Sequence, residues 1–227
     1  MVAGERGTRR EVRVHLLVGA FCFAAFVGLG LLVRHVPGSL DRLLRDTVGT
    51  RWQGELGTVA WLVSAVLGPI LPVLLGVALL VVTVRWRRRG DPRAWVTLRV
   101  LVLLGLCRAT SWVGKPLFER ERPRIYADFA YPSGHVVSVT STGVAVVVLC
   151  VWLAPAFASL ARATALAATL LICGARVALG VHWVTDTVGA VLAVAGVGLL
   201  AIPALRLLPA QHRGRSPVRD GVGRAGR

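Results

Sequence analysis

Six apolar stretches decide most of what this chain can fold into. Residues 14–33, 59–84, 136–153 and 187–205 contain no Asp, Glu, Lys or Arg. Residues 95–113 carry only Arg99 and Arg108, and residues 163–180 only Arg176. Each stretch is about 18–26 residues long, and a helix needs roughly 20 to cross a hydrocarbon core ~30 Å thick. No water reaches that core, so the backbone must bond to itself, and each stretch is predicted to be a helix. Hydrophobic residues make up 55% of the 227-residue chain, more than a soluble fold of that length can bury. The prediction is an all-α polytopic membrane protein with six transmembrane helices in one bundle.

The second stretch is the least regular. At 1.5 Å per residue it is about 39 Å long, which exceeds the core, so it should tilt or bend. Gly68-Pro69 and Pro72 are the expected bend points. The first stretch follows a basic start, as a signal peptide would. It runs too long for one and no Ala-x-Ala-like site closes it, so it reads as a retained span. Between these two spans, Leu40, Leu43, Leu44, Val48 and Trp52 fall at helical spacing after Pro37-Gly38-Ser39. Ser39 is the expected N-cap. Asp41, Arg42, Arg45 and Asp46 between the apolar positions predict a helix lying in the outer interface, in the first external loop. Gly189, Ala193 and Gly196 mark close packing of the last span. The chain then divides into an N-terminus (1–13), a six-span domain (14–208) and an Arg/Gly/Pro-rich tail (209–227) expected to be disordered.

The net charge of +16 resembles that of a nucleic-acid binder, but its placement argues for a membrane. Arg6, Arg9, Arg10 and Arg13 precede the first span. Arg85, Arg87, Arg88, Arg89 and Arg93 join the second to the third, with Arg99 just inside the latter. Arg162 lies between the fourth and fifth, and six arginines from Arg206 onward form the tail. With six crossings these all fall on one side, which the positive-inside rule makes cytoplasmic, termini included. A basic surface against anionic lipid explains the charge, and no nucleic acid is expected as a partner. Cys22, Cys107, Cys150 and Cys173 lie in apolar stretches without a CxxC pair, so neither a zinc site nor a disulfide framework is predicted.

Three places break the apolar pattern with groups suited to phosphate. They are Lys115-Pro-Leu-Phe-Glu-Arg-Glu-Arg122-Pro123, Tyr131-Pro-Ser133-Gly134-His135 and Arg176-x5-His182-x3-Asp186. Two spans separate the first pair from the third, so all three come to the same membrane face. Lys and Arg neutralise phosphate oxygens, Arg through a planar fork. Ser133-Gly134 stands where the fourth span begins, where free backbone N–H groups point at an anion. His135 and His182 can exchange charge near neutral pH. Asp186, four residues after His182 on one helical face, can fix its tautomer. Arg176 and His182 do not share a face on one straight helix, so the fifth span should end near Gly180, and His182 and Asp186 should open the sixth. Arg108 shares a face with Lys115 but is given no role.

Together these motifs resemble the three-part pattern of the type-2 phosphatidic acid phosphatases, the membrane branch of the superfamily that includes vanadium haloperoxidases. The motifs cover residues 115–186, and the six-span plan extends the likeness over most of the chain. The resemblance implies a lipid phosphate phosphatase of the plasma membrane, working without metal or cofactor through a phosphohistidine at the extracytoplasmic face. By position, His182 resembles the nucleophile, Asp186 its orienting partner and His135 the acid that protonates the leaving alcohol. Lys115, Arg122, Ser133, Gly134 and Arg176 resemble the phosphate cradle. Ala175 departs from the family, which usually has Ser there, and is expected to remove one hydroxyl from the cradle. A phosphotransferase of the same family, a transporter and an inactive lipid-binding relative are the alternatives. Neither the lipid nor the oligomeric state can be read from the sequence.

Overall fold

The computed structural model describes residues 2–209, with side chains from residue 9 onward. The expected tail from residue 210 and the side chain of Arg6 lie outside them. Among the described residues, eight α-helices follow one another: α1 (Val2–Val33), α2 (Ser39–Val48), α3 (Glu55–Val66), α4 (Ile70–Arg88), α5 (Ala94–Phe118), α6 (Gly134–Leu153), α7 (Ala158–Ala178) and α8 (Val184–Ala204). No strand occurs among the described residues. Six segments are long and apolar enough to cross a membrane, and together they make the chain a multi-pass membrane protein: Arg9–Val33, Glu55–Arg88, Ala94–Phe118, Gly134–Leu153, Pro155–Ala178 and Val184–Ala204.

The second of these is broken into α3 and α4. Leu67 closes α3 by donating its N–H to the carbonyl of Val63, 2.8 Å away. Pro69 has no N–H with which to continue the ladder, so α4 restarts at Ile70. Pro72 falls in the first turn of α4, where an N–H would have no intrahelical acceptor, and it causes no second bend. The break lets α3 pack against α7 while α4 packs against α5.

α6 lies in the middle, against α4, α5, α7 and α8. The core around it contains Val100, Leu103 and Cys107 of α5, Val136 and Val137 of α6, Ile172 of α7, and Ala190 and Val194 of α8. α1 runs along α8. A side chain at Gly196 would come within 2.7 Å of the Phe23 backbone, so the small residue sets the approach of these two helices. Gly189 likewise makes room for the ring of Tyr131, whose hydroxyl donates to the Phe26 carbonyl (2.6 Å). The outer surface is also apolar, with Leu17, Leu32, Val66 and Leu160 each well exposed. Apolar residues on all sides are what a helix bundle bathed in lipid requires.

The expected helix in the first loop is present as α2, but two details differ. Gly38, not Ser39, is the N-cap, because Asp41 Oδ2 reaches back to accept from the Gly38 N–H (3.3 Å). Asp41 is also buried, with 1% exposure, while Leu40 (54%) and Leu43 (62%) face outward. Asp41 thus faces inward beside the half-buried Leu44 and Val48, where it finds charged and hydroxyl partners.

Three chain reversals meet at the same end of the bundle. α5 stops at Phe118, with Glu119 left-handed at φ 46°. α6 starts at Gly134, and α7 gives way to α8 through Gly180, also left-handed at φ 63°. The expected end of the fifth span near Gly180 is thus observed, and Asp186 lies in the first turn of α8. His182, expected to open that helix too, precedes it because α8 begins only at Val184 after its N-cap Trp183. At the other end, Arg87 lies over Trp95 and Arg93 over Trp86.

Candidate active site

The three reversals bring the motif residues together around a cavity of about 250 Å³. Lys115, in the last turn of α5, and Arg122, in the following loop, form one wall. Gly134 and His135 open α6, Arg176 ends α7, and His182 stands between α7 and α8. These six expected residues all line the cavity. Asp186 sits behind His182, and Ser133 is fully buried without lining the cavity.

His182 is fixed at both ring nitrogens. Nδ1 lies 3.2 Å from Asp186 Oδ2, and Nε2 lies 3.1 Å from Arg122 Nη1. A guanidinium only donates, so Nε2 must accept, and the proton belongs on Nδ1, donated to Asp186. The lone pair of Nε2 consequently faces the cations. Burial, followed by the charges of Arg122, Arg176 and Lys115, holds His182 well below its ordinary pKa. The ring is therefore neutral at physiological pH. Asp186 is oriented in turn, since its Oδ2 also accepts from the Trp183 N–H (2.8 Å).

The cations are held on the protein side. Lys115 Nζ donates to Asp128 and to the Phe129 carbonyl (2.9 Å). Arg122 donates to the carbonyls of Val181 (3.0 Å), Asp128 and Phe129. Arg176 Nη1 donates to Ser64 Oγ of α3 (2.9 Å), while its Nε is buried with no partner. Ser133 Oγ is likewise buried without a partner, and the Ser133 N–H is taken by the Asp186 carbonyl (3.2 Å). By helix geometry the N–H groups of Gly134 and His135 have no intrahelical acceptor. Three cations, two such N–H groups and a neutral imidazole facing one small cavity are the kinds of group that can hold a tetrahedral anion.

A model of the PAP2 superfamily matches residues 96–207, the stretch that carries every one of these groups except Ser64. Over that stretch, just under half of the chain, the sequence is similar to the PAP2 superfamily. Its fold is similar to the crystal structure described as the first transmembrane PAP2 type phosphatidylglycerolphosphate phosphatase from Bacillus subtilis. The two share 22% identity and a TM-score of 0.66, over 86% of this chain and 98% of that one. No curated protein sequence gives a significant match.

The structure places further residues at the site that the motifs do not reveal. Arg120, two positions before Arg122, is 2% exposed. Its Nη1 donates to Asp186 Oδ1 (2.6 Å) and Thr185 Oγ1 (2.7 Å), and its Nη2 to Asp41 Oδ2 (2.7 Å). Arg108, given no role from sequence, donates to the Gly134 carbonyl (3.2 Å) and borders the cavity. Ala175 corrects an expectation. It is buried with Ala60, Leu179 and Val181 in an apolar seam between α3 and α7 and does not line the cavity, where it was expected to leave a hydroxyl missing.

Proposed function

We propose that this protein is a lipid phosphate phosphatase that works through a phosphohistidine on His182. One observation carries the reading: His182 Nε2 presents its lone pair to the cationic cavity while Nδ1 is tied to Asp186. The phosphoryl group sits among Lys115, Arg122 and Arg176 and the N–H groups that open α6, with Ser133 supporting that turn. These donors match negative charge spread over the equatorial oxygens of a phosphoryl group in transfer. Arg122 then passes its donor from Nε2 to the phosphate. Nε2 forms a P–N bond as the P–O ester bond breaks, and His135 gives its proton to the departing alkoxide. Asp186 stabilises the imidazolium. A water molecule next attacks phosphorus and loses its proton to His135, the P–N bond breaks, and phosphate leaves.

A lipid substrate is supported by the flank of the cavity. Pro69 of the α3–α4 break, with Arg108 and Trp112 of α5, line it, and Trp112 is 67% exposed on the outside of the bundle, the side that lipid would cover. The tail stays in the bilayer while the headgroup enters the cradle. The Bacillus subtilis protein of similar fold is a phosphatidylglycerolphosphate phosphatase, which supports a lipid phosphate as the substrate class here. The basic residues at the far end of the bundle favour a cytoplasmic location for that end and both termini, with the site at the outer face of the plasma membrane. Residues 14–208 form the catalytic domain in this reading.

Catalysis here needs no metal, because the chain supplies the cations. Among the described residues, no group of three His, Cys, Asp or Glu is placed to hold one. The test is phosphate release by purified protein in detergent from phosphatidic acid, phosphatidylglycerol phosphate and polyprenyl phosphates. EDTA should leave it intact and vanadate should inhibit. Rapid quench should trap an acid-labile phosphohistidine that His182→Ala lacks, while a leaving group of low pKa should rescue His135→Ala alone. Phosphate appearing on an added alcohol rather than free would assign a phosphotransferase. A thiol introduced by Ala127→Cys should react with an impermeant reagent in intact cells and one by Gly90→Cys should not; the reverse pattern would put the site inside.

A further inference from the structure

We propose that Arg120 and Asp41 are positioning residues for the His182–Asp186 pair, so that the external helix α2 takes part in setting the charge of the site. The proposal rests on the reading of His182 as the nucleophile.

The geometry is a buried chain of four charged or ionisable groups. His182 meets Asp186 Oδ2, Asp186 Oδ1 meets Arg120 Nη1, and Arg120 Nη2 meets Asp41 Oδ2, at 3.2, 2.6 and 2.7 Å. None of the four is more than 2% exposed. Arg120 thus forks between two carboxylates, and each of its ends is fixed independently. Thr185 ties the fork together: its Oγ1 accepts from Arg120 and donates to Asp41 Oδ2 (2.7 Å), and its N–H donates to Asp41 Oδ1 (3.1 Å). The ring of Trp183 covers the guanidinium, with 5.6 Å from Cζ to the centroid.

Division of labour on Asp186 gives the chain its consequence. Oδ2 serves His182 and the Trp183 N–H, so only Oδ1 is free to be held from behind, and Arg120 holds it. That contact fixes the plane of the carboxylate, hence the ring angle and tautomer of His182. It also balances the Asp186 charge at a fully buried position. Asp41 in turn fixes Arg120. Burial pushes the Asp41 carboxyl up, but hydrogen bonds from Thr185 and from Arg120 outweigh it and hold it below the usual range, so it is ionised at neutral pH. Asp41 lies in the first turn of α2, where the helix dipole adds to the effect.

A purely structural staple would change folded yield and leave the pH profile alone. A charge chain makes a signed prediction. His182 also faces Arg122, Arg176, Lys115 and His135, which stay in place in every variant below. In Arg120→Gln, one positive charge beside the pair is lost, so the pair holds its proton more tightly. The acid limb of kcat/KM should move up by at least about one pH unit. In Asp41→Asn a negative charge is lost, so the limb should move down, and by less, because Asp41 acts through Arg120. Arg120→Lys keeps the charge without the fork, so it should restore the limb while kcat stays below wild type.

The experiment is kcat/KM against pH for the purified full chain on phosphatidic acid in mixed micelles, with phosphohistidine trapping on the same preparations. Opposite shifts in Arg120→Gln and Asp41→Asn are the expected result. Unmoved limbs, or shifts of the same sign, overturn the proposal. Should Arg120→Gln fail to fold, Asp41→Asn decides alone, and a wild-type limb in it overturns the proposal. Wild-type protein that forms no phosphohistidine overturns the reading of the site and this proposal with it. A trapped intermediate with unmoved limbs overturns the proposal only.

Discussion

Arg120 and Arg176 are both buried guanidiniums at one site, and the protein treats them in opposite ways. Arg120 meets two carboxylates and a hydroxyl, all from within the chain. Arg176 meets the neutral hydroxyl of Ser64, has a buried Nε without a partner, and pairs with no carboxylate among the described residues. Removing a cation from water costs several kcal/mol unless an anion compensates. Behind His182 that compensation is buried and internal; in front of it, Lys115 and Arg122 share the half-exposed Asp128, and Arg176 has no carboxylate among the described residues. The difference separates a positioning cation from a binding one without reference to any motif. Arg122 belongs with the front group, since among the described residues its ion pair is with the half-exposed Asp128 at 3.8 Å.

The comparison is most exposed to test where a front and a back arginine lose their charge in parallel. Arg120→Met leaves Asp41 and Asp186 buried without their cation, and breaking a buried pair this way costs about 3–5 kcal/mol. It should lower the unfolding midpoint in detergent and abolish activity. Arg122→Gln leaves no buried carboxylate stranded. It should melt near wild type while kcat/KM falls at least ~100-fold, the scale of losing one donor to developing negative charge. Equal loss of folded protein in the two variants would erase the distinction between front and back.

A smaller effect concerns how the front cations are aimed. Ser64 of α3 receives Arg176 Nη1, so Ser64→Ala should leave folding intact and lower kcat/KM about 10-fold, the scale of one hydrogen bond to a charged group. Ala175→Ser adds its hydroxyl to the apolar seam of Ala60, Leu179 and Val181 and should give no gain. A gain from Ala175→Ser would mean that the seam opens toward the cavity.

Those two positions also show what a sequence can reveal. The six spans were legible because lipid leaves a backbone few options, and the His182–Asp186 pair because a spacing of four brings the two close, although His182 precedes α8 and Asp186 reaches back to it from the first turn. Ser64 and Arg120 were not, because their partners are set by packing. Arg120 lies in the run Glu-Arg-Glu-Arg, which reads as a solvated loop, and its carboxylates stand 66 and 79 positions away. One local signal did exist. Asp41 falls on the same face of α2 as Leu44 and Val48, the half-buried side, whereas Leu40 and Leu43 lie on the exposed one. An acidic residue on the inward face of a short helix implies a buried cation, and Arg120 is that cation. Ala175 misled for the converse reason: a familiar position was read by its neighbour in sequence, while its side chain points into the seam.

The smallest expected effect lies at the mouth of the cavity. Asp128 pairs with Lys115 and is 52% exposed at its side chain. Burial raises its carboxyl, but the hydrogen bond from Lys115 and the charges of Lys115 and Arg122 outweigh this and hold it below the usual range. Asp128 is thus an anion already seated on a cation of the cradle, and an entering phosphate must displace it. Asp128→Asn should therefore lower KM and the inhibition constant of inorganic phosphate by about 3-fold, with kcat unchanged. An exposed ion pair contributes on the order of 0.2–1 kcal/mol, which sets that scale. The sign with pH follows from the depressed pKa. Competition by Asp128 is present above that pKa and is lost only as pH falls through it, so the ratio of wild-type to variant KM should stay constant from about pH 5 to 8. Product-inhibition kinetics on both proteins measure it. A higher KM in Asp128→Asn would show that the carboxylate aims Lys115 at the phosphate instead of competing for it, and would move Asp128 to the positioning side of the comparison, with Asp41 and Arg120.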